Sequence, residues 1–256
     1  MRSSTRSCWA AFTLIELLVV VSLIVLLIAL LMPALGQARK AARSAVCLSQ
    51  TRQLQNAFQA YFLDHGDVMH LRHQAGRYWH FGLATYLGDS GYDQSPNGRL
   101  DTTMSMLRCP VATEPYTGSV GSVTRPWHWG PGGEGAYGAN LWLFQHYLEY
   151  DNDARFPRED FFGHYRSIDE PSNVPVLVDS NWVGGWPDDV DFVPPDLHNG
   201  LFVHEIGYFM GRFCIDRHQG AVNASFADGS ARRVPLADLW RLRWHRHFQE
   251  TDVVVP

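Results

Sequence analysis

The sequence predicts an α+β protein in which one long N-terminal helix packs against a small antiparallel β-sheet. Three observations predict it: an apolar run of membrane length, apolar residues at helical spacing directly after it, and short alternating segments in the remainder. The 256 residues allow one medium domain plus an anchor, or two small domains. With 46% hydrophobic and 18% charged residues, composition excludes a disordered chain. The net charge of −5 gives no reason to expect nucleic acid as a partner.

The first element is the apolar run. Residues 12–35 are long enough to cross about 30 Å of hydrocarbon as a helix. A secretory signal would have a shorter apolar region followed by a cleavage site. Here small and apolar residues continue at helical spacing as far as Phe62. We therefore predict one continuous helix over residues 12–63, kinked at Pro33, with residues 36–64 forming its outer half beyond the membrane.

Charges flanking the apolar run bear on its orientation. Arg2 and Arg6 precede it, and positive residues favour the cytoplasmic side. Arg39, Lys40 and Arg43 follow the run and weaken that preference. We expect a single-pass protein of the cytoplasmic membrane, with residues 65–256 forming an α+β domain outside the cytoplasm.

Glu16 is the one acidic residue near the start of the apolar run. An ionised side chain costs roughly 2.5–3.5 kcal/mol at the centre of a membrane-spanning helix. Two interpretations follow from the residues alone. Either the carboxylate lies among lipid headgroups at the membrane surface, or it pairs with a positive charge supplied by a partner.

The remainder of the chain predicts short elements separated by turns. Gly66 ends the long helix, and Asp228-Gly229 forms the turn of a β-hairpin. The other expected elements are a short helix within residues 78–91, strands over residues 173–180 and 211–218, the hairpin over residues 221–234 and a helix over residues 235–248.

Residues that could bind metal are numerous but follow no recognised motif. The 12 histidines include His65, His70 and His73, and a pair, His245 and His247, that we expect on a solvated face. We therefore expect no metal ligands and no cofactor. The acidic segment 151–160 could bind calcium, although it lacks the spacing of an EF-hand loop.

The N-terminal text "AFTLIELLVVVSLIVLLIALLMPAL" resembles the class III signal of type IV prepilins and type II secretion pseudopilins. The resemblance covers about 50 residues and includes the position of Pro33. It implies a leader of residues 1–11, cut by a prepilin peptidase between Ala11 and Phe12, with N-methylation of Phe12. The family normally has glycine before the cut, whereas this chain has Ala11. The resemblance also implies that Glu16 meets the amino terminus of a neighbouring subunit during filament assembly.

The C-terminal text "DRHQGAVNASFADGSARRV" resembles the H-X9-DG domain found behind prepilin-type N-termini. The motif residues are His218, Asp228 and Gly229, within the segment 211–248. We expect a hydrogen bond between His218 and Asp228 to fix this corner of the fold. A metal or catalytic role and a contact with a partner are the alternatives.

Four cysteines complete the candidate residues. Cys8 lies in the expected leader, and Cys214 is expected to be buried and reduced. Cys47 and Cys109 resemble two positions that the pilin-like group often carries. The resemblance implies a disulfide between them if the domain faces an oxidising compartment.

These features together predict a structural, non-enzymatic pilin-like subunit of a type II secretion or type IV pilus-like filament. No G-x-S-x-G, P-loop or G-x-G-x-x-G motif indicates catalysis. The expected partners are prepilin peptidase, other pilin-like subunits, the secretion or pilus assembly machinery and the membrane. The alternative is an envelope enzyme or binding module that uses the apolar segment only as an anchor.

Overall fold

The computed structural model describes residues 13–68, 78–89, 101–128, 133–144, 156–203 and 207–256. The chain divides into two compact units, Met1–Ala42 and Arg43–Pro256, each of which is described by itself. The expected leader and Phe12 lie outside the described residues.

The first unit contains the beginning of helix α1 (Leu14–Asp64), which continues through Pro33. Its apolar side chains are exposed, with Leu14 at 81% and Leu30 at 67% of their full accessibility. An 18-residue window has a mean hydropathy of 3.2 and no buried residue, so this helix is long and apolar enough to span a membrane. The predicted continuous helix is confirmed over its described residues.

In the second unit, α1 buries one face. The buried residues recur every three or four positions, as one face of an α-helix requires: Cys47, Thr51, Leu54, Gln55, Ala57, Phe58, Tyr61 and Phe62. The helix ends at the predicted glycine, because Gly66 and Asp67 both have a φ of 66°. The amide of Asp67 donates to the carbonyl of Phe62 at 2.8 Å and closes the last turn.

Helices α2 (Trp79–Gly82) and α3 (Asp101–Leu107) follow. A two-stranded sheet pairs β1 (Trp127–His128) with β2 (Glu134–Gly135). The main sheet has the order β5-β3-β4-β6-β7. Its strands are β3 (Tyr137–Asn140), β4 (Pro175–Asp179), β5 (Gly184–Gly185), β6 (Ala221–Phe226) and β7 (Ala231–Pro235).

The main sheet is mixed, which corrects the prediction of an antiparallel one. Three neighbouring pairs are antiparallel, but β5 runs parallel to β3. Strand β5 is only two residues long and follows β4 closely, so its glycines gave no alternating pattern from which its pairing could be predicted. The strand at β4 and the β6–β7 hairpin are confirmed.

The sheet lies between α1 and the C-terminal segment. On one face, Ser225 Oγ donates to Gln55 Oε1 at 3.1 Å, which joins β6 to α1. On the C-terminal side, the Asn140 amide donates to the carbonyl of Trp244 at 2.8 Å. Trp244 is fully buried, and its ring lies 4.9 Å from that of Phe213. The expected packing of the sheet on the outer half of the helix is therefore observed within the second unit.

Two predicted elements are wrong. Residues 211–218 form no strand, because the chain turns there: a 3-10 helix covers Phe209–Arg212, and the amide of Cys214 donates back to Met210. The predicted helix over residues 235–248 is limited to a 3-10 helix at Leu236–Arg241. Beyond it, the amide of Arg243 donates to the distant carbonyl of Asn173 instead of to the preceding turn. The expected short helix within residues 78–91 appears as α2 and a 3-10 turn at Thr85–Leu87.

Candidate functional site

Glu16 forms a reciprocal cap at the beginning of α1. Its Oε2 accepts hydrogen bonds from the Thr13 amide at 2.9 Å and the Thr13 hydroxyl at 2.8 Å. The Glu16 amide in turn donates to Thr13 Oγ1 at 3.2 Å. This is the capping-box arrangement, in which the first and last residues of a Thr-x-x-Glu sequence satisfy each other's free backbone donors. The cap is a third role for Glu16 that the apolar pattern alone did not suggest.

The second candidate site is a cluster of four metal-ligating or nucleophilic side chains inside the second unit. Cys47 comes from α1, Cys109 from the turn just after α3, Asp179 from the end of β4 and His218 from the turn before β6. One ligand atom from each lies within 4.8 Å of all the others. We call these four residues the Cys-His-Asp cluster. None is more than 4% exposed, so a substrate in solution does not reach them.

His218 is central to the Cys-His-Asp cluster. Its Nε2 lies 3.1 Å from Asp179 Oδ2, 3.2 Å from Cys47 Sγ and 3.7 Å from Cys109 Sγ. The cluster is completed by a 3.5 Å contact between Cys47 Sγ and Asp179 Oδ1. Tyr137, from β3, places its hydroxyl 2.9 Å from Cys47 Sγ.

Arg217 supplies a buried positive charge beside Asp179. Its Nη1 lies 3.4 Å from Asp179 Oδ1, and both side chains are fully buried. The same guanidinium donates to the carbonyls of Ser122 at 2.6 Å and Ser180 at 3.2 Å, and also to that of Ala136. A buried ion pair is tolerated when hydrogen bonds satisfy its remaining donors, as they do here.

The surroundings shift the protonation of the cluster. Burial alone would raise the pKa of Cys109, but hydrogen bonds from Cys47 and His218 lower it to about 6. Burial would lower the pKa of His218, but the charge and hydrogen bond of Asp179 raise it to about 9. Burial also acts against ionisation of Asp179, yet His218 and Arg217 hold the pKa of its carboxyl below its usual value. Burial raises the pKa of Cys47 well above its ordinary value.

The H-X9-DG residues are separated in a way that the spacing did not predict. His218 contacts Asp179 instead of Asp228, so the expected His218–Asp228 hydrogen bond is wrong. Asp228 Oδ1 accepts from the Ser230 amide at 2.9 Å, and Gly229 has a φ of 89° in the hairpin turn. The hairpin extends away from His218, because β6 carries the chain six residues along the sheet between them.

The two cysteines of the implied disulfide do meet. Their sulfur atoms lie within the 4.8 Å spread of the cluster, although both are free thiols in the structure. The pairing therefore stays a prediction that the positions allow. Cys214 is buried and free, as expected, but lies in a turn and not in a strand.

The expectation that His245 and His247 both lie on a solvated face holds for only one of them. His245 is 4% exposed and packs 5.0 Å from the ring of Trp142, so its expected place on a solvated face is wrong. His247 is exposed and contacts Asp160 at 2.9 Å. Residues 151–155 of the expected calcium segment lie outside the described residues, as do His70 and His73.

Sequence reasoning missed Asp179, Tyr137 and Arg217. Metal-ligand motifs are recognised by short spacings along the sequence, whereas the four residues of the Cys-His-Asp cluster come from four distant segments. One signal was present: Asp179 is an acid at the end of the apolar run "VPVLVD", where a charge is costly unless it is paired.

Comparisons of the chain with protein-family models, with curated proteins and with solved structures gave no match.

Proposed function

We propose that the chain is a membrane-anchored, pilin-like structural subunit of a type II secretion or type IV pilus-like filament. The observation that carries the proposal is an exposed apolar helix of membrane length with one acid, Glu16, in its first turn. In this proposal the second unit lies outside the cytoplasm. Prepilin peptidase removes the leader and methylates Phe12, as in the family that the N-terminus resembles.

The negative charge of Glu16 needs more than the cap to explain it. A glutamine at this position accepts the same hydrogen bonds, since the last residue of a capping box is Glu or Gln. A neutral amide also costs less in lipid than a carboxylate. A positive partner supplies the missing stabilisation, and the amino terminus of a neighbouring subunit has the right charge.

The second unit supports a structural role over an enzymatic one. Among the described residues, the Cys-His-Asp cluster is buried, so its reactive side chains are placed to hold the fold together. The filament would be built through the helices, with other pilin-like subunits and the assembly machinery as partners.

The test compares two variants that separate the charge of Glu16 from its cap. Glu16→Gln keeps the cap and removes the charge, whereas Thr13→Ala removes the two hydrogen bonds of the Thr13 hydroxyl from the cap and keeps the charge. We expect Glu16→Gln to insert and to be processed but to fail in cross-linking to neighbouring subunits. Losing one partner of a buried ion pair costs about 3–5 kcal/mol, and here the loss recurs at every subunit contact. Thr13→Ala should still assemble.

Normal filaments from processed Glu16→Gln protein would contradict the proposal. They would favour the alternative, an anchored enzyme or binding module. Loss of assembly in Thr13→Ala together with normal assembly of Glu16→Gln would show that capping is the role of the pair.

A further inference from the structure

The Cys-His-Asp cluster contains the ligand types of a structural zinc site. We propose that Cys47, Cys109, Asp179 and His218 bind one thiophilic divalent cation, best matched by Zn²⁺, in a closed four-coordinate site. The site would join α1 to the sheet and to the turn after α3. This proposal does not depend on filament assembly.

The distances between the four side chains match those around a zinc ion. Tetrahedral zinc binds sulfur at about 2.3 Å and nitrogen or oxygen at about 2.0–2.1 Å, so neighbouring ligand atoms are about 3.4–3.8 Å apart. The contacts of His218 Nε2 with Cys47 Sγ, Cys109 Sγ and Asp179 Oδ2 are 3.2, 3.7 and 3.1 Å. Cys47 Sγ and Asp179 Oδ1 are 3.5 Å apart. These contacts are close to the spacing that a tetrahedral ion requires between its ligands, and one atom from each of the four residues lies within 4.8 Å of the others, so small shifts of the side chains would admit the ion.

The donor atoms of the cluster are of the types that zinc prefers. Two thiolates and an imidazole favour zinc, whereas calcium and magnesium prefer oxygen ligands. All four positions are filled by side chains, and none is more than 4% exposed. Closed sites of this kind are structural, since catalytic zinc keeps one position open for water or substrate.

The charges of the cluster and of Arg217 balance that of a divalent cation. Two thiolates and one carboxylate carry three negative charges, of which Zn²⁺ neutralises two. Arg217, 3.4 Å from Asp179 Oδ1 and fully buried, neutralises the remaining one. With the metal bound, the interior around the cluster is therefore neutral, as a site removed from water requires.

The surrounding hydrogen bonds hold the ligands in place. The amide of Asn223 donates to Asp179 Oδ2 at 2.7 Å, and the Tyr137 hydroxyl is within hydrogen-bond reach of Cys47 Sγ. Such outer contacts orient ligands and normally affect metal affinity by 10- to 100-fold, as an order of magnitude. A pocket of about 440 Å³ lies beside the Cys109 turn, and its wall includes Cys109, Ala112 and Glu134.

A Cys47–Cys109 disulfide is the competing state. Forming it oxidises both thiols and removes two of the four ligands, so a chain cannot hold the disulfide and this zinc site together. The redox state of the two sulfurs in cells therefore decides between them.

The test uses the full chain in two separate samples. In the first, the protein is extracted in detergent without chelator and without thiol-modifying reagents, and we expect about one zinc per chain by elemental analysis. In the second, thiols are trapped by acid and alkylation in intact cells, and we expect no Cys47–Cys109 disulfide in the trapped material. Cys109→Ser should lower bound zinc at least tenfold. Cys214→Ser is the matched control, because it also alters a buried free cysteine but one outside the cluster.

A second measurement does not depend on the stability of a variant. Chelator-treated wild-type protein is loaded with Co²⁺ under reducing conditions, and we expect the thiolate charge-transfer and intense visible bands of tetrahedral cobalt. Wild-type protein with no zinc and no such bands would overturn the proposal. So would unchanged zinc in Cys109→Ser, or a trapped Cys47–Cys109 disulfide.

Discussion

His218 Nε2 and Asp179 Oδ2 lie 3.1 Å apart in the interior, with side chains that are 1% and 0% exposed. The contact connects the turn before β6 to the end of the neighbouring strand β4. His218 therefore has a buried partner in Asp179, whereas Asp228 accepts a hydrogen bond within the hairpin turn. The two ends of the H-X9-DG motif therefore contribute to stability through different interactions.

The first prediction compares those two ends. In the presence of a chelator, His218→Ala should lower the free energy of unfolding by about 3 kcal/mol, because it removes one partner of a buried pair. Asp228→Ala should cost about 1 kcal/mol, since it removes a single turn hydrogen bond to the Ser230 amide. Denaturant unfolding of the detergent-solubilised protein, followed by tryptophan fluorescence, measures both. Equal losses for the two variants would contradict this assignment.

The long helix and the hairpin could be predicted because their signals are local. The apolar run fixes α1, and Asp228-Gly229 between alternating residues fixes the β6–β7 turn. The cluster could not be predicted, because its geometry depends on which segments the sheet brings together. Residues 211–218 show the same limit: the alternation "RFCI" is typical of a strand, but those amides bond within turns and β6 begins only at Ala221.

The second prediction concerns the hairpin turn. Gly229 has a φ of 89°, a conformation that side-chain-bearing residues rarely adopt. Gly229→Ala should therefore lower the unfolding free energy by about 1–2 kcal/mol. Gly118→Ala is the control, because an added Cβ there meets nothing within 4 Å and φ is outside the left-handed region. Similar unfolding midpoints for the two variants would count against strain at Gly229.

The third prediction is a pH dependence set by His80. Burial lowers the pKa of this histidine from 6.5 to about 3, and neither ring nitrogen has a hydrogen-bond partner among the described residues. The unfolded chain takes up a proton below about pH 6.5, whereas the folded protein does not until about pH 3. Protonation therefore favours unfolding in this window, and stability falls as pH is lowered through it.

Replacing His80 isolates its contribution from those of other titrating groups. His80→Phe removes the titration and keeps an aromatic ring beside Phe81 and Trp127. As pH is lowered from about 6 to about 4, the unfolding free energy of the variant should rise relative to that of wild type by about 1.4 kcal/mol for each pH unit. His198→Phe, which makes the same substitution at an exposed histidine, is the control. If the difference in unfolding free energy between wild type and His80→Phe is constant with pH, the prediction is refuted.

The last prediction concerns the N-terminus. If the class III resemblance is correct, membrane-extracted protein begins at N-methylated Phe12. Loss of residues 1–11 removes Arg2 and Arg6, which changes the formal charge from −5 to −7. Ala11→Gly restores the residue that the family normally has before the cut, so the processed fraction should stay equal or rise. A bulky residue, as in Ala11→Leu, should block the cut while leaving the apolar helix able to insert. Intact-mass analysis measures all three proteins, and a wild-type chain that begins at Met1 or beyond Leu31 would exclude this processing.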